Sequence, residues 1–351
     1  MDIRNEFSDL LAGIETEMQS VLDERRGSHA EPLYEMLAYH LGIDGGGKRG
    51  KRIRPLLGLL AYASLKGDYE GALPGAAAVE LGHNFSLVHD DIEDADRERH
   101  HRPTLWAIWG IPLAINAGDA LFALSRLALY RLRPDLSDDK VLDLMRVYDE
   151  TCLALCEGQF LDITFERQPD VSVEQYLEMI GKKTAALIGA SVEAGAILAT
   201  DDEATRDAYR RFGWNLGLAF QMADDVKGAF WSSAESGKPE AGDVRKRKKT
   251  MPVVWAMANA PQADADRLRE LYSRGTAASG ADGARPPADE QLTDEEVEEV
   301  LAILERCGAR EHVLSEARRL RDTALADIDA LPLADGPKSQ LRGLVEAVIA
   351  A

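Results

Sequence analysis

Positive charge, aromatic residues and cysteine are all scarce in this 351-residue chain. Lysine and arginine total 41 against 61 aspartates plus glutamates, a formal net charge of -20. A field of that sign repels nucleic acid and anionic lipid, so neither is expected as a partner. It also means that any phosphorylated ligand must be met by locally concentrated Lys and Arg or by metal ions. The three cysteines, Cys152, Cys156 and Cys307, are too few for a disulfide framework and have no neighbours suited to a zinc site. Cys152 and Cys156 share a helix face and read as core packing. No uninterrupted apolar run reaches the roughly 18 residues of a membrane span. The opening MDIRNEFSDLLAGIETEM is acidic and lacks the apolar core of a signal peptide. A cytoplasmic location without stable membrane insertion is expected. Strand signals are missing too: there is no period-2 alternation, and no Asn-Gly or Asp-Gly turn joins two apolar runs.

Helices fill the space left by these absences. Apolar residues make up 45% of the chain and recur at helical spacing, as in Ile3, Phe7, Leu10, Leu11, Ile14, Met18 and Leu22. The pattern predicts helices over 4–24, 31–41, 51–65, 73–92, 112–134, 137–166, 172–180, 182–199, 204–227 and 244–260. Residues 274–290 read as a flexible loop. Two or three closing helices are expected over 291–350, the first capped at Thr293. The whole chain, 1–351, is expected to form one all-α domain.

Two acidic motifs end long apolar helices. In HDDIED, Asp90 and Asp94 share a helix face and Asp91 adjoins Asp90. Oxygen ligands in that spacing suit a hard cation. In LAFQMADDVKG, Asp224 and Asp225 follow an apolar run, with Gln221 one turn earlier. Two such groups facing one another across a cavity would repel unless cations intervened, and a multi-Mg²⁺ site gripping a diphosphate resolves that repulsion. A solvated acidic face is the plainer alternative. Basic groups cluster as well. GGGKRGKRIRP places Lys48, Arg49, Lys51, Arg52 and Arg54 at a Gly-rich loop entering a helix, a natural anion site that is not a Walker A loop. Lys183 opens an apolar helix, and GKPEAGDVRKRKKT sets Lys238 and Lys248 around Asp243.

In order along the chain stand GKRIRP, His83 in VELGH, DDIED, RPT at 102–104, GQFLDI at 158–163, KT at 183–184, FQMADD, GKPEAGD and KKTMP. This ordered set resembles the trans-isoprenyl diphosphate synthase (polyprenyl synthetase) family, of the short-chain type such as farnesyl or geranylgeranyl diphosphate synthases. The resemblance implies an isoprenoid synthase-type bundle of about ten or more helices around a central cavity, acting as a homodimer. It implies roughly three Mg²⁺ ions per site when diphosphate is bound, held by Asp90, Asp91, Asp94 and Asp224, with Asp225 in support. By resemblance, Arg99, Lys183, Thr184, Lys248 and Lys238 attend the allylic diphosphate. Lys51, Arg52, Arg54, His83 and His100 attend isopentenyl diphosphate, and Gln221 lies near the developing carbocation or the metal-bound diphosphate. The bulky Phe85, five residues before Asp90, is expected to stop product growth at C15 to C20, with C20 favoured and Gly82 leaving room beside the ring.

Two positions depart from the family pattern. Gly228 stands where many members carry Asp. His100 stands where a second arginine usually follows Arg99, and a neutral imidazole is a weaker diphosphate ligand than a guanidinium fork. The latter keeps two alternatives open: a class I terpene cyclase on the same scaffold, or a non-catalytic subunit of a heteromeric synthase.

Overall fold

The computed structural model describes residues 2–45, 50–132, 136–230, 241–273 and 291–350. The 274–290 loop, Lys48, Arg49 and Lys238 lie outside them. Among the described residues the chain is all-α apart from one short ladder, and it divides into two compact units. The first takes residues 1–153, 187–214 and 324–351; the second takes 154–186 and 215–323.

In the first unit the helix Leu73–Glu93 is central. Pro74 pre-sets its first turn, and Gly75, Ala76, Ala77 and Ala78 keep its start thin enough for close packing. It packs against Ser8–Asp23, Ile53–Lys66 and Ile111–Tyr130. The last of these is long and apolar enough to cross a membrane by length and composition, with a mean hydropathy of 1.2. Asp119 and Arg126 interrupt its sequence, and Ala114, Ala117, Leu121 and Leu124 are buried in the unit. Ile111, Leu113, Ile115, Leu127 and Tyr130 on the same helix are exposed, as are Leu142, Leu153 and Phe160 on Asp138–Glu166. Cys152 is buried as expected, whereas Cys156, expected in the core, is exposed.

The ladder pairs Glu98–Arg99 with Arg102–Pro103. Its turn residues, His100 and His101, both take positive φ (52° and 60°), as a type I′ hairpin turn requires. No Gly or Asn announces this turn, which is why the sequence pattern does not reveal it.

In the second unit Ser172 and Gln175 form a capping box that starts Val173–Ile180. That helix runs into a π turn, Gly181–Ala185. The helix expected over 244–260 is two, Gly242–Arg245 and Met251–Asn259. Arg247 takes positive φ (55°) between them, and Pro252 sits in the first turn of the second, where its missing N–H costs nothing. Gln262–Ser273, with few apolar residues, is a helix the pattern does not predict. Thr293 caps Asp294–Arg306 through a box with Glu296, as the sequence predicts.

Candidate active site

Asp90, Asp91 and Asp94 end the helix Leu73–Glu93, with Asp94 at its cap. Carboxylates at a helix C-terminus add negative charge to the negative end of the dipole, an arrangement that calls for a cation. Asp91 is only 2% exposed. Its Oδ1 accepts from Nε and Nη2 of Arg99, both at 2.8 Å, while Oδ2 is buried and accepts no hydrogen bond. Burial pushes the Asp91 carboxyl up to about 6, against the pull of Arg99. Among the described residues no three His, Cys, Asp or Glu side chains close a complete metal cage. An open carboxylate edge with an orphaned oxygen suits Mg²⁺, which keeps several waters and completes its shell with substrate phosphates.

Basic side chains gather in the same unit. Arg54 Nη1 lies 3.1 Å from His83 Nε2, and Arg54 Nε is buried without a hydrogen-bond partner. Burial, then Arg54, Arg99, His40 and Arg52, hold His83 well below the ordinary histidine range. His40 escapes the sequence reading, because a lone histidine near a helix end carries no signal. Its Nε2 is buried without a partner, and burial, with Arg99 and Arg52 adding to it, lowers its pKa to about 3. Lys51 is exposed. Arg52 differs from the other cations. Its backbone takes φ 53°, and its side chain is buried. It donates to Glu80 Oε1 at 2.6 Å and to the Leu41 carbonyl, and Asn84 also donates to Glu80 Oε1. This buried network fixes the chain between Lys51 and Arg54 and leaves Arg52 facing inward. His100 is exposed at its hairpin tip; partial desolvation, then Arg99 and Arg52, hold it below the ordinary histidine range.

The second unit assembles the other motif. Lys183 and Thr184 sit in the π turn, a distortion that often marks functional sites. A Cβ on Gly158 would lie 2.3 Å from the Lys183 backbone nitrogen, so the glycine of GQFLDI admits this turn. Asp162 of the same motif pairs with Lys183 Nζ. Thr184 donates to Gln221 Oε1 at 2.8 Å, and Gln221 Nε2 donates to Asp225 Oδ1 at 3.0 Å. Asp225 Oδ2 accepts from the Tyr176 hydroxyl and from the Met251 backbone N–H at 2.9 Å. Asp225 is thus a buried hub whose two oxygens are already engaged, and burial pushes its carboxyl up to about 7. Half-buried Asp224 precedes it on the helix. The Asp243 carboxylate occupies the space beside Gly228, and Lys248 is half-buried, its backbone N–H bonded to the Asp243 carbonyl.

Phe85 is buried, with its ring edge-on to Phe122 (centroids 5.2 Å) and to His89 (6.0 Å). The room that Gly82 was expected to leave is filled by Tyr148, whose hydroxyl would lie 2.0 Å from a Cβ at position 82.

The Polyprenyl synthetase family pattern matches residues 31–282. A geranylgeranyl diphosphate synthase of Mycobacterium tuberculosis is 42% identical over 275 residues, 76% of this chain and 77% of that protein. A (2E,6E)-farnesyl diphosphate synthase of Mycobacterium bovis is 36% identical over 332 residues, 93% of this chain and 87% of that one. The crystal structure of a geranylgeranyl pyrophosphate synthetase from Pyrococcus horikoshii superposes with a TM-score of 0.86 at 30% identity, covering 100% of this chain and 98% of that one. With its all-α fold and ordered motifs, the chain belongs to the polyprenyl synthetase family and is a prenyltransferase.

Proposed function

We propose that the protein is a Mg²⁺-dependent synthase that condenses isopentenyl diphosphate head-to-tail with an allylic diphosphate, giving a C15 to C20 prenyl diphosphate, with C20 favoured. The observation that carries this reading is the orphaned, buried Oδ2 of Asp91 in a three-carboxylate helix end, in the same unit as Arg54, whose buried Nε has no hydrogen-bond partner.

Asp90, Asp91 and Asp94 would hold Mg²⁺ in the first unit, and Asp224 in the second, with Asp225 supporting Asp224 through its buried hub. Bound Mg²⁺ supplies Lewis acidity at the leaving diphosphate. Arg99, Lys183 and Lys248 neutralise the allylic diphosphate, and Lys238 joins them. Lys51, Arg54, His83 and His100 take the isopentenyl diphosphate, and Arg52 holds their loop. Loss of diphosphate leaves an allylic cation, which Gln221 and Thr184 border. The isopentenyl double bond attacks it, and the released diphosphate takes the proton, so no side chain is needed as general base.

The two compact units act as one synthase domain over 1–351, in a cytoplasmic homodimer. The exposed Ile111, Leu113, Ile115, Leu127 and Tyr130 support the dimer, since an apolar face of this kind calls for a partner surface.

His100 favours one second reading. An exposed, neutral histidine on a hairpin tip is a poor diphosphate ligand, which favours a cyclase acting on a single prenyl diphosphate. Incubation with Mg²⁺ and geranylgeranyl diphosphate alone separates the two. Hydrocarbon or alcohol formed without isopentenyl diphosphate replaces the condensing reading; unchanged substrate supports it.

A further inference from the structure

The helix Leu73–Glu93 carries its carboxylates at one end and a packed aromatic stripe behind them. At about 1.5 Å rise per residue, Phe85 lies roughly 7.5 Å and Gly82 roughly 12 Å back along the axis from Asp90. On the condensing function, a product whose diphosphate is held at the carboxylates would lay its growing tail along this helix, with Phe85 the first ring it meets. Gly82, one turn further on, reads in sequence as open space, yet a Cβ there would lie 2.0 Å from Tyr148 Oη, 2.9 Å from Cζ and 3.0 Å from Cε2. The notch is therefore occupied by the phenol, which comes from the helix Asp138–Glu166.

Tyr148 is fixed there. It is buried, and its hydroxyl donates to Ser125 Oγ at 2.5 Å. Ser125 in turn donates to the Phe122 carbonyl at 2.6 Å. A buried hydroxyl without a partner is costly, so the Ser125 bond anchors the ring in its place. Phe122 meets Phe85 edge-on. Phe85, Phe122, Ser125 and Tyr148 thus form one connected wall, contributed by three helices of the same unit.

We propose that Tyr148 is a specificity-determining residue, the second stop behind Phe85, which closes the hydrocarbon space at the Gly82 notch and limits how many five-carbon units are added. This rests on the condensing function proposed above.

The test is the product spectrum of purified, Mg²⁺-loaded enzyme fed geranyl diphosphate and excess isopentenyl diphosphate. Tyr148→Ala and Tyr148→Leu are expected to shift the main product upward by at least one five-carbon unit. Tyr148→Phe, which keeps the ring and loses the hydroxyl with its hydrogen bonds, is expected to keep the wild-type length. Thermal melts identify which variants are folded; Tyr148→Leu retains most of the apolar packing and serves if Tyr148→Ala does not fold. Wild-type elongation with an unchanged length in folded Tyr148→Leu overturns the proposal alone. A wild-type protein that consumes no isopentenyl diphosphate overturns the proposed function, and this proposal with it.

Discussion

Gly228 and Asp243 compete for one place: a Cβ on Gly228 would lie 1.9 Å from Asp243 Oδ2. The position at which this motif departs from the family pattern therefore has a physical reason. The space that a side chain at position 228 would need is held by the Asp243 carboxylate, from the short helix Gly242–Arg245. Gly228→Ala is expected to push that carboxylate aside. On the proposed function Asp243 would face the metal–diphosphate assembly, and losing that one charged contact, worth roughly 1.5–3 kcal/mol, should lower kcat about tenfold or more. Tm should move by only a few degrees, because the displaced group is the tip of one side chain. Steady-state rates measured alongside a melting curve check this; a full-rate Gly228→Ala enzyme contradicts it.

Asp91 is the carboxylate with most to lose. Asp91→Asn keeps its volume but removes the charge that holds Arg99 and would meet Mg²⁺. A loss of roughly hundredfold in kcat, about 3 kcal/mol, is expected, together with a higher Mg²⁺ requirement. Titrating activity with Mg²⁺ after EDTA treatment reads both effects. Wild-type enzyme that keeps its rate in EDTA would tell against a metal role for the whole helix end.

His40 should leave a mark on acid stability. Its ring nitrogen is buried although the residue is partly accessible, and the ring is what titrates. With a folded pKa of about 3, the unfolded chain takes up a proton below pH 6.5 that the fold refuses. Stability from this residue is therefore complete above pH 6.5 and is lost as pH falls toward 3, by about 1.4 kcal/mol per pH unit. Urea unfolding at pH 7 and pH 5 should show about 2 kcal/mol less acid loss in His40→Gln than in the wild type. Equal losses in the two proteins would contradict the assignment.

Much of this architecture is legible in the sequence because helical periodicity and capping are local. The Asp-rich helix ends, the Thr293 cap and the run of core helices follow from spacing alone. What escapes depends on distant partners or rare backbone. The π turn under Lys183 has no residue signature; it shows only through Gly158, which admits it. The motif GKRIRP presents Arg52 as one more ligand, but a left-handed φ and the Glu80 carboxylate, 28 positions away, turn it inward. Gly82 reads as space because the ring that fills it lies on another helix. Asp162, the partner of Lys183, is hidden inside GQFLDI because nothing local ties it to that lysine.

His100→Arg tests the weakest of the contacts proposed for isopentenyl diphosphate. A guanidinium at this hairpin position adds a charge-assisted bond to diphosphate. KM for isopentenyl diphosphate should fall roughly tenfold with kcat nearly unchanged, as for uniform binding. The KM for the allylic substrate should stay within about twofold. A change confined to the allylic KM would assign His100 to the other diphosphate.

Condensation itself is read most directly by product analysis of the purified protein with dimethylallyl, geranyl, farnesyl and geranylgeranyl diphosphates, each with and without isopentenyl diphosphate, in Mg²⁺ and in EDTA. The expected result is elongation only when both isopentenyl diphosphate and Mg²⁺ are present, ending near C20. Turnover of a prenyl diphosphate that neither needs nor consumes isopentenyl diphosphate, or elongation that persists in EDTA, would contradict the account.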